Sequence, residues 1–314
     1  MEYRRLGNSG LKVSAISVGS WLTFGSRLDE STATALVRTA FERGVNLFDT
    51  ADVYDRGLAE SALGACLDGI PRKDYVLASK VYFPTGEGPN DRGLSRKHIF
   101  ETVHASLKRL RTDYVDLFQC HRFDDETPVP ETVRAFDDLI RQGKIHYWGV
   151  SMWSADQIRE AVEAASEINA ALPISNQPNW SLLDRSIEPE VLPACREHGL
   201  GILAFSPLAQ GVLTGKYLDG AKPADSRLAD ERRNVFMGRF LEDEPTARVR
   251  QFKALADRIG TTCARLAVAW LMSREGLSSV IVGVTKVSQL EDNLAAVDLK
   301  LDEGVLTELD ALFS

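Results

Sequence analysis

The sequence predicts an α/β protein: a single (β/α)8 TIM barrel spanning residues 1–314, opened by an N-terminal β-hairpin and carrying a long loop after its seventh strand. Three observations lead there. Short apolar runs alternate with amphipathic segments about eight times, with no linker between them. Glycines stand where several of the helices should stop, at Gly44, Gly143, Gly199 and Gly260. Ionisable residues close several apolar runs, and in a parallel barrel the C-terminal ends of all strands meet at one rim.

The hairpin is read from Tyr3-Arg4-Arg5-Leu6, a turn at Gly7-Asn8-Ser9-Gly10, and Leu11-Lys12-Val13. Strands are expected at Ile16–Gly19, Asn46–Asp49, Tyr75–Lys80, Val115–Cys120, Ile145–Ser151, Ile174–Gln177, Gly201–Phe205 and Val280–Val282. Helices are expected at Ser31–Arg43, Ala59–Leu67, Arg96–Leu110, Glu131–Arg141, Ala155–Ala170, Glu190–Glu197 and Arg248–Ile259, with a last one at Glu303–Leu312 packing outside. Ser95 and Ser154 look like helix caps, the second with Gln157 placed for a capping box. Leu218–Pro245 is charged and mostly without periodicity. A loop of that length after strand seven is expected to lie over the rim and to be functional or disordered.

Composition narrows the class. The chain has 314 residues, 44% hydrophobic and 26% charged, as in soluble globular proteins. A net charge of -8 argues against non-specific nucleic-acid binding. No apolar run reaches the roughly 18 residues of a membrane span, so no membrane insertion is expected. The N-terminus lacks an apolar h-region, so no secretion signal is expected either. Cys66, Cys120, Cys195 and Cys263 lie far apart without zinc spacing and read as inert core thiols. A reducing cytoplasm fits this set, and no metal site is expected.

The chemistry lies in four residues: Asp49 and Tyr54 of Asn46-Leu47-Phe48-Asp49-Thr50-Ala51-Asp52-Val53-Tyr54, Lys80 of Tyr75-Val76-Leu77-Ala78-Ser79-Lys80, and His121 of Val115-Asp116-Leu117-Phe118-Gln119-Cys120-His121. Taken singly, each has an ordinary reading: a rim tyrosine, a turn-capping aspartate, a solvated lysine, a loop histidine. Gathered at one rim they form a proton-transfer site. Tyr54 is the candidate acid. A free phenol titrates near 10, and a neighbouring Lys80 ammonium, with Asp49 as its charge partner, is expected to lower that value. His121 would orient a carbonyl and share in proton transfer. His98, His104, His146 and His198 have no such company and read as structural.

These four positions resemble the catalytic tetrad of the aldo-keto reductases, and the likeness runs from the hairpin to Asn293. Arg92-Gly93-Leu94-Ser95-Arg96-Lys97-His98-Ile99, Tyr147-Trp148-Gly149, Phe205-Ser206-Pro207-Leu208 and Gly215-Lys216-Tyr217 resemble the branch containing the voltage-gated potassium channel β subunits and their bacterial relatives. The resemblance implies NADPH-dependent reduction of aldehydes and ketones to alcohols, with NADP(H) extended across the rim and a small carbonyl compound as substrate. It leaves the oligomeric state open between a homo-oligomer, since the channel subunits form tetramers, and a monomer, as many aldo-keto reductases are. The alternative within this branch is an NADP(H)-binding regulatory subunit of a channel or other partner with little turnover.

The resemblance also assigns cofactor positions. Ser20 and Trp21 match the first loop beside the cofactor. Ser151 and Gln177 match the carboxamide contacts, and Phe205 the aromatic that stacks on the nicotinamide. Ser206, Leu208 and Gln210 match the loop along the pyrophosphate. Lys216 and Arg227 are the basic positions for phosphate, including the adenosine 2′-phosphate, with Lys286 as a further one. Gly283, Thr285, Gln289 and Asn293 match the adenosine end. No G-x-G-x-x-G follows a strand, and Gly211–Lys216 is one residue short of a P-loop.

Three positions depart from the pattern. Met152 stands where many members have Asn and the channel subunits Arg. Asp292 stands where Glu is common. His121 stands where the channel subunits have Asn, which points towards catalytic reduction. Substrate selectivity is expected from Trp21, Phe24, Tyr82, Phe83, Arg122 and Trp180 and from the Leu218–Pro245 loop.

Overall fold

Strand β1 (Tyr3–Arg5) pairs antiparallel with β2 (Lys12–Ser14) to form the hairpin. Eight further strands, β3 (Ile16–Gly19), β4 (Leu47–Asp49), β5 (Val76–Val81), β6 (Val115–Cys120), β7 (Ile145–Ser151), β8 (Ser175–Gln177), β9 (Gly201–Ala204) and β10 (Leu277–Val282), run parallel and close into a barrel in sequence order. The computed structural model describes residues 1–224, 226–230, 234 and 237–314. The (β/α)8 expectation is met. Among the described residues no helix is long and apolar enough to cross a membrane.

The strands are continuous apolar runs because both faces are covered. Their inward side chains, among them Leu47, Val76, Ala78, Leu117, Leu203 and Ile281, fill the barrel with Leu6 and Val13 of the hairpin region. The hairpin is fastened at the end opposite the C-terminal rim of the strands: Asn8 N–H donates to Gly199 O (2.8 Å), and Arg4 reaches Leu277 O (3.3 Å) and Met272 O (2.9 Å). Gly7 makes this fit possible, since it sits at φ +58 and a Cβ would fall 2.2 Å from Gly199 O.

Helices α1 (Glu30–Glu42), α2 (Leu58–Cys66), α3 (Arg96–Leu110), α4 (Val129–Arg141), α5 (Ala155–Glu167) and α6 (Val191–Glu197) each follow a barrel strand. After β9 the chain forms α7 (Asp243–Arg258) and α8 (Cys263–Met272), and after β10 it forms α9 (Val287–Leu294) and α10 (Glu303–Leu312). The expected starts are real: Ser95 accepts from His98 N–H, and Ser154 and Gln157 form a reciprocal capping box. Asp29 and Thr262 cap α1 and α8 in the same way. Helix α10 packs against α7 on the outside, with Phe313 edge-on to Phe252 at 5.8 Å.

Two expectations change. Helix α7 begins at Asp243, so Pro245 lies in its first turn, where a missing N–H costs nothing, rather than ending the loop. Helices α8 and α9 were not anticipated as helices. Within the predicted Leu218–Pro245 loop, residues 225, 231–233 and 235–236 lie outside the described residues. The described part contains short 3-10 turns at Leu218–Gly220, Arg227–Ala229 and Gly238–Phe240.

Candidate active site

The C-terminal strand ends converge as expected. Asp49 ends β4, Lys80 lies in β5, His121 follows β6 directly, and Tyr54 sits in a turn after β4. That turn is tight: Asp55, Arg56 and Gly57 all have positive φ, which brings Tyr54 back over the barrel before α2 begins.

Lys80 is fully buried. Its ammonium donates to Asp49 Oδ1 (2.7 Å), to Thr50 O (2.8 Å) and to Tyr54 OH (3.4 Å). Burial pushes the pKa of Lys80 down, but the facing Asp49 carboxylate and Tyr54 hydroxyl outweigh it, and the net direction is up. A group whose folded pKa is raised stays charged to higher pH, so the ammonium is intact throughout the neutral range.

Tyr54 departs from the expected direction. Burial raises its pKa more than Lys80 lowers it, and Asp49 adds to the rise. The ammonium moderates the phenol without making it more acidic than a free tyrosine. The phenol is therefore protonated at neutral pH, the state a proton donor needs. His121 is held well below the usual imidazole range by burial and by the neighbouring Lys80 and Arg122 cations, so its ring is neutral. The ring lies 5.5 Å from that of Tyr54, nearly perpendicular, and 4.8 Å from Phe83. Its Nδ1 is buried without a partner among the described residues.

A second carboxylate cluster lies behind this centre and was not anticipated. Glu60, fully buried, accepts from Ser79 Oγ (2.6 Å) and from Arg109 Nε (2.6 Å). Asp52 accepts from Val53 N–H (2.6 Å), while its Oδ2 is buried with no partner among the described residues. Arg109 is matched to Glu60 and Lys80 to Asp49, which leaves Asp52 without a cation of its own among the described residues. Burial, reinforced by Glu60, pushes its pKa up from 3.8 to about 8. The unfolded chain releases this proton near the ordinary value and the folded chain keeps it. Stability from this group is therefore lost as pH rises between those two values, by about 1.4 kcal/mol per pH unit. Asp52→Asn is expected to raise the unfolding temperature near pH 8 and to leave it nearly unchanged near pH 4. Melting curves across that range check this, and an equal shift at both ends would contradict it.

The rim at the C-terminal strand ends opens into a cleft of about 1280 Å³. Tyr54, Asp49 and His121 line it; Lys80 does not, being sealed beneath them. Of the expected cofactor positions, Trp21, Ser151, Gln177, Phe205, Ser206 and Leu208 line the cleft. So do Gln210, Lys216 and Arg227 on one stretch and Gly283, Thr285, Gln289 and Asn293 on the next. Ser20 does not reach it: it is buried, and its hydroxyl donates to Thr50 Oγ1 (2.8 Å). Lys286 lies outside the lining. Of the selectivity positions, Trp21, Phe24, Phe83 and Arg122 line the cleft. Tyr82 and Trp180 do not; Trp180 is buried and donates from its indole to Glu188 (3.0 Å).

Several of these side chains are already committed. The Ser151 hydroxyl donates to Gln177 O (2.8 Å), and Gln177 Nε2 donates to Asp49 Oδ2 (2.8 Å). Asp49 thus joins Lys80 and Gln177, and its bond to Gln177, 128 residues away, is one the sequence does not display. Met152 is turned at φ +59, and its thioether accepts from Asn179 N–H (3.3 Å). Asp292 accepts from Thr262 Oγ1 (2.7 Å) and pairs with Arg265 (2.9 Å). After β9, Ser206, Ala209, Gln210 and Gly211 all have positive φ, a strained run along the cleft wall. Arg227 crosses to Gln210 and stands over the Trp21 ring at 5.5 Å, with its pKa lowered to about 10 by burial. Among the described residues no cluster of His, Cys, Asp and Glu could hold a metal ion, and the four cysteines are buried free thiols.

Residues 15–313 match the model of the Aldo/keto reductase family. The chain belongs to this family. It is 47% identical over 302 residues to an Arabidopsis thaliana protein named probable voltage-gated potassium channel subunit beta, covering 95% of this chain and 92% of that one. A protein of the same name from Oryza sativa subsp. japonica is also 47% identical, with the same coverage. A putative voltage-gated potassium channel subunit beta from Schizosaccharomyces pombe is 40% identical over 324 residues, covering all of this chain and 94% of that one. The aldo/keto reductase assignment brings a general oxidoreductase role that fits the rim chemistry.

Proposed function

We propose that the chain, as one reductase domain over residues 1–314, catalyses NADPH-dependent reduction of aldehydes and ketones to alcohols, with Tyr54 as general acid. The observation that carries this is the buried Lys80 ammonium held between Asp49 Oδ1 at 2.7 Å and the Tyr54 hydroxyl at 3.4 Å, at the floor of a long cleft.

The cleft residues fit a dinucleotide phosphate. Asn293 is 2% exposed, yet its side chain makes no hydrogen bond among the described residues and neither of its amide atoms is walled off; its amide opens onto the cleft. Lys216 and Arg227 supply cations for phosphate, and the positive-φ run at Ser206–Gly211 turns the backbone along the wall. Phe205 offers a partly exposed ring. Ser151, whose hydroxyl donates its hydrogen bond to Gln177 O, keeps lone pairs for a carboxamide N–H. When bound, reduced NADP supplies the hydride that adds to the carbonyl carbon.

The residues do the rest. His121, neutral, donates to the carbonyl oxygen and fixes its direction. Tyr54 gives its proton to the oxygen as negative charge develops there, and Lys80 stabilises the phenolate left behind. Asp49 and Gln177 keep Lys80 in place. A spectrophotometric assay over a panel of aldehydes, run with NADPH and with NADH, tests the reading. NADPH consumption with alcohol formed in equal amount is expected, and its absence on every carbonyl would overturn it.

The relatives' names favour a second reading, an NADP(H)-binding regulatory subunit of a channel or other partner with little turnover. It predicts tight NADPH binding without consumption and, by the same resemblance, a tetramer visible in light scattering.

A further inference from the structure

Arg122 directly follows His121 and lines the cleft. Its Nη1 donates to His121 O (2.5 Å), and its guanidinium lies 5.4 Å from the centre of the Phe83 ring, which itself packs edge-on against His121. The cation is therefore folded back over the catalytic histidine. Burial lowers its pKa, and it is felt electrostatically by both Tyr54 and His121.

Arg122 lacks a counter-charge. Several half-buried arginines have a carboxylate: Arg72 has Asp116 at 2.6 Å, Arg109 has Glu60 at 2.6 Å, and Arg185 has Glu188 at 2.8 Å. Among the described residues Arg227 meets Gln210 rather than a carboxylate, and Arg122 has no carboxylate either. None of its nitrogens is walled off without a partner, so the donors not spent on His121 O are open to the cleft. Asp55, the nearest lining carboxylate in sequence apart from the tetrad, accepts instead from Ser26 N–H (2.6 Å). A half-buried cation beside Phe83 has lost part of its hydration and gains strongly from an anion that enters with the ligand. The planar fork of a guanidinium matches a carboxylate in two parallel hydrogen bonds.

We propose that Arg122 is the substrate-anion site of this cleft and selects carbonyl compounds that carry a carboxylate, holding that group while the carbonyl lies against Tyr54 and His121. This deepens the reductase reading and rests on it for the reacting end of the ligand.

The test compares para-carboxybenzaldehyde with its methyl ester, using NADPH at neutral pH, in the parent and in Arg122→Gln and Arg122→Lys. The parent is expected to favour the acid by about tenfold to a hundredfold in kcat/KM, mainly through KM. Arg122→Gln should collapse that acid-to-ester ratio and Arg122→Lys should restore part of it. An unchanged ratio in Arg122→Gln, or no preference in the parent, overturns the proposal. A second arm needs no turnover: benzoate is titrated against tryptophan fluorescence, with Trp21 in the cleft wall as reporter. Binding about tenfold weaker in Arg122→Gln supports the site even if neither aldehyde is reduced, in which case the reductase reading alone fails. Equal benzoate affinity in the parent and Arg122→Gln overturns the site even if both aldehydes turn over.

Discussion

Tyr54→Phe is expected to lower kcat on every aldehyde by about 10²–10⁴-fold, the usual contribution of a positioned acid, while leaving NADPH affinity and the melting temperature close to those of the parent. The hydroxyl's one hydrogen bond within the described residues is the long one to Lys80, at 3.4 Å, so little of the fold rests on it. The ring stays, and with it the packing near His121 and Trp21. Burial keeps the phenol protonated in the resting protein, so what the substitution removes is a proton ready for transfer. Steady-state kinetics with a parallel NADPH titration separates this from a defect in cofactor binding. A variant that retained the parent's kcat would remove Tyr54 from the mechanism.

Lys80→Met is expected to destabilise the fold by about 3–5 kcal/mol, because it strands a carboxylate in the interior. Asp49 is 3% exposed and would keep only the neutral Gln177 amide. Thr50 O would lose its ammonium donor as well. Activity should fall too, since the ammonium that hydrogen-bonds the Tyr54 hydroxyl would be gone. The double variant Lys80→Met with Asp49→Leu separates the two effects. Removing both charges should recover much of the lost stability, as replaced buried pairs do, yet leave the protein inactive. Chemical denaturation of the single and double variants checks this. Equal loss of stability in both would mean that the ion pair is not what Lys80 contributes.

The sequence displays the barrel and the four rim residues for one physical reason. Buried parallel strands must be short apolar runs, so a polar residue at the end of such a run stands out. Asp49, Lys80 and His121 are visible in that way. Glycines at helix ends are visible because a left-handed turn needs them, as Gly44 at φ +85 and Gly143 at φ +68 confirm. Helix α8 is hidden by the same logic. Seven of its residues from Cys263 to Leu271 are buried, so it is apolar nearly all round and shows no amphipathic period. Pro245 looked like a loop residue because proline usually breaks helices, yet a first turn tolerates it.

Within the site, what stayed hidden is tertiary. The direction of the Tyr54 shift depends on burial outweighing a neighbouring charge, and burial cannot be read from spacing. The bond from Gln177 to Asp49 joins β8 to β4 across the barrel. The spare proton on Asp52 follows from counting carboxylates against cations in space: Glu60 takes Arg109 and Asp49 takes Lys80. Arg122 looked like one of several rim residues until the fold placed its guanidinium against His121 O and Phe83 with no carboxylate among the described residues, unlike Arg72, Arg109 and Arg185.

The central claim is that this cleft directs hydride to a carbonyl carbon while Tyr54 protonates the oxygen. The most direct measurement is a single-turnover reduction of benzaldehyde by NADPH deuterated at the transferring position, with the product read by mass spectrometry. The account predicts benzyl alcohol carrying one deuterium on the carbinol carbon, formed at least about a hundredfold more slowly by Tyr54→Phe. Alcohol without the label, or none at all from protein that binds NADPH, would contradict it.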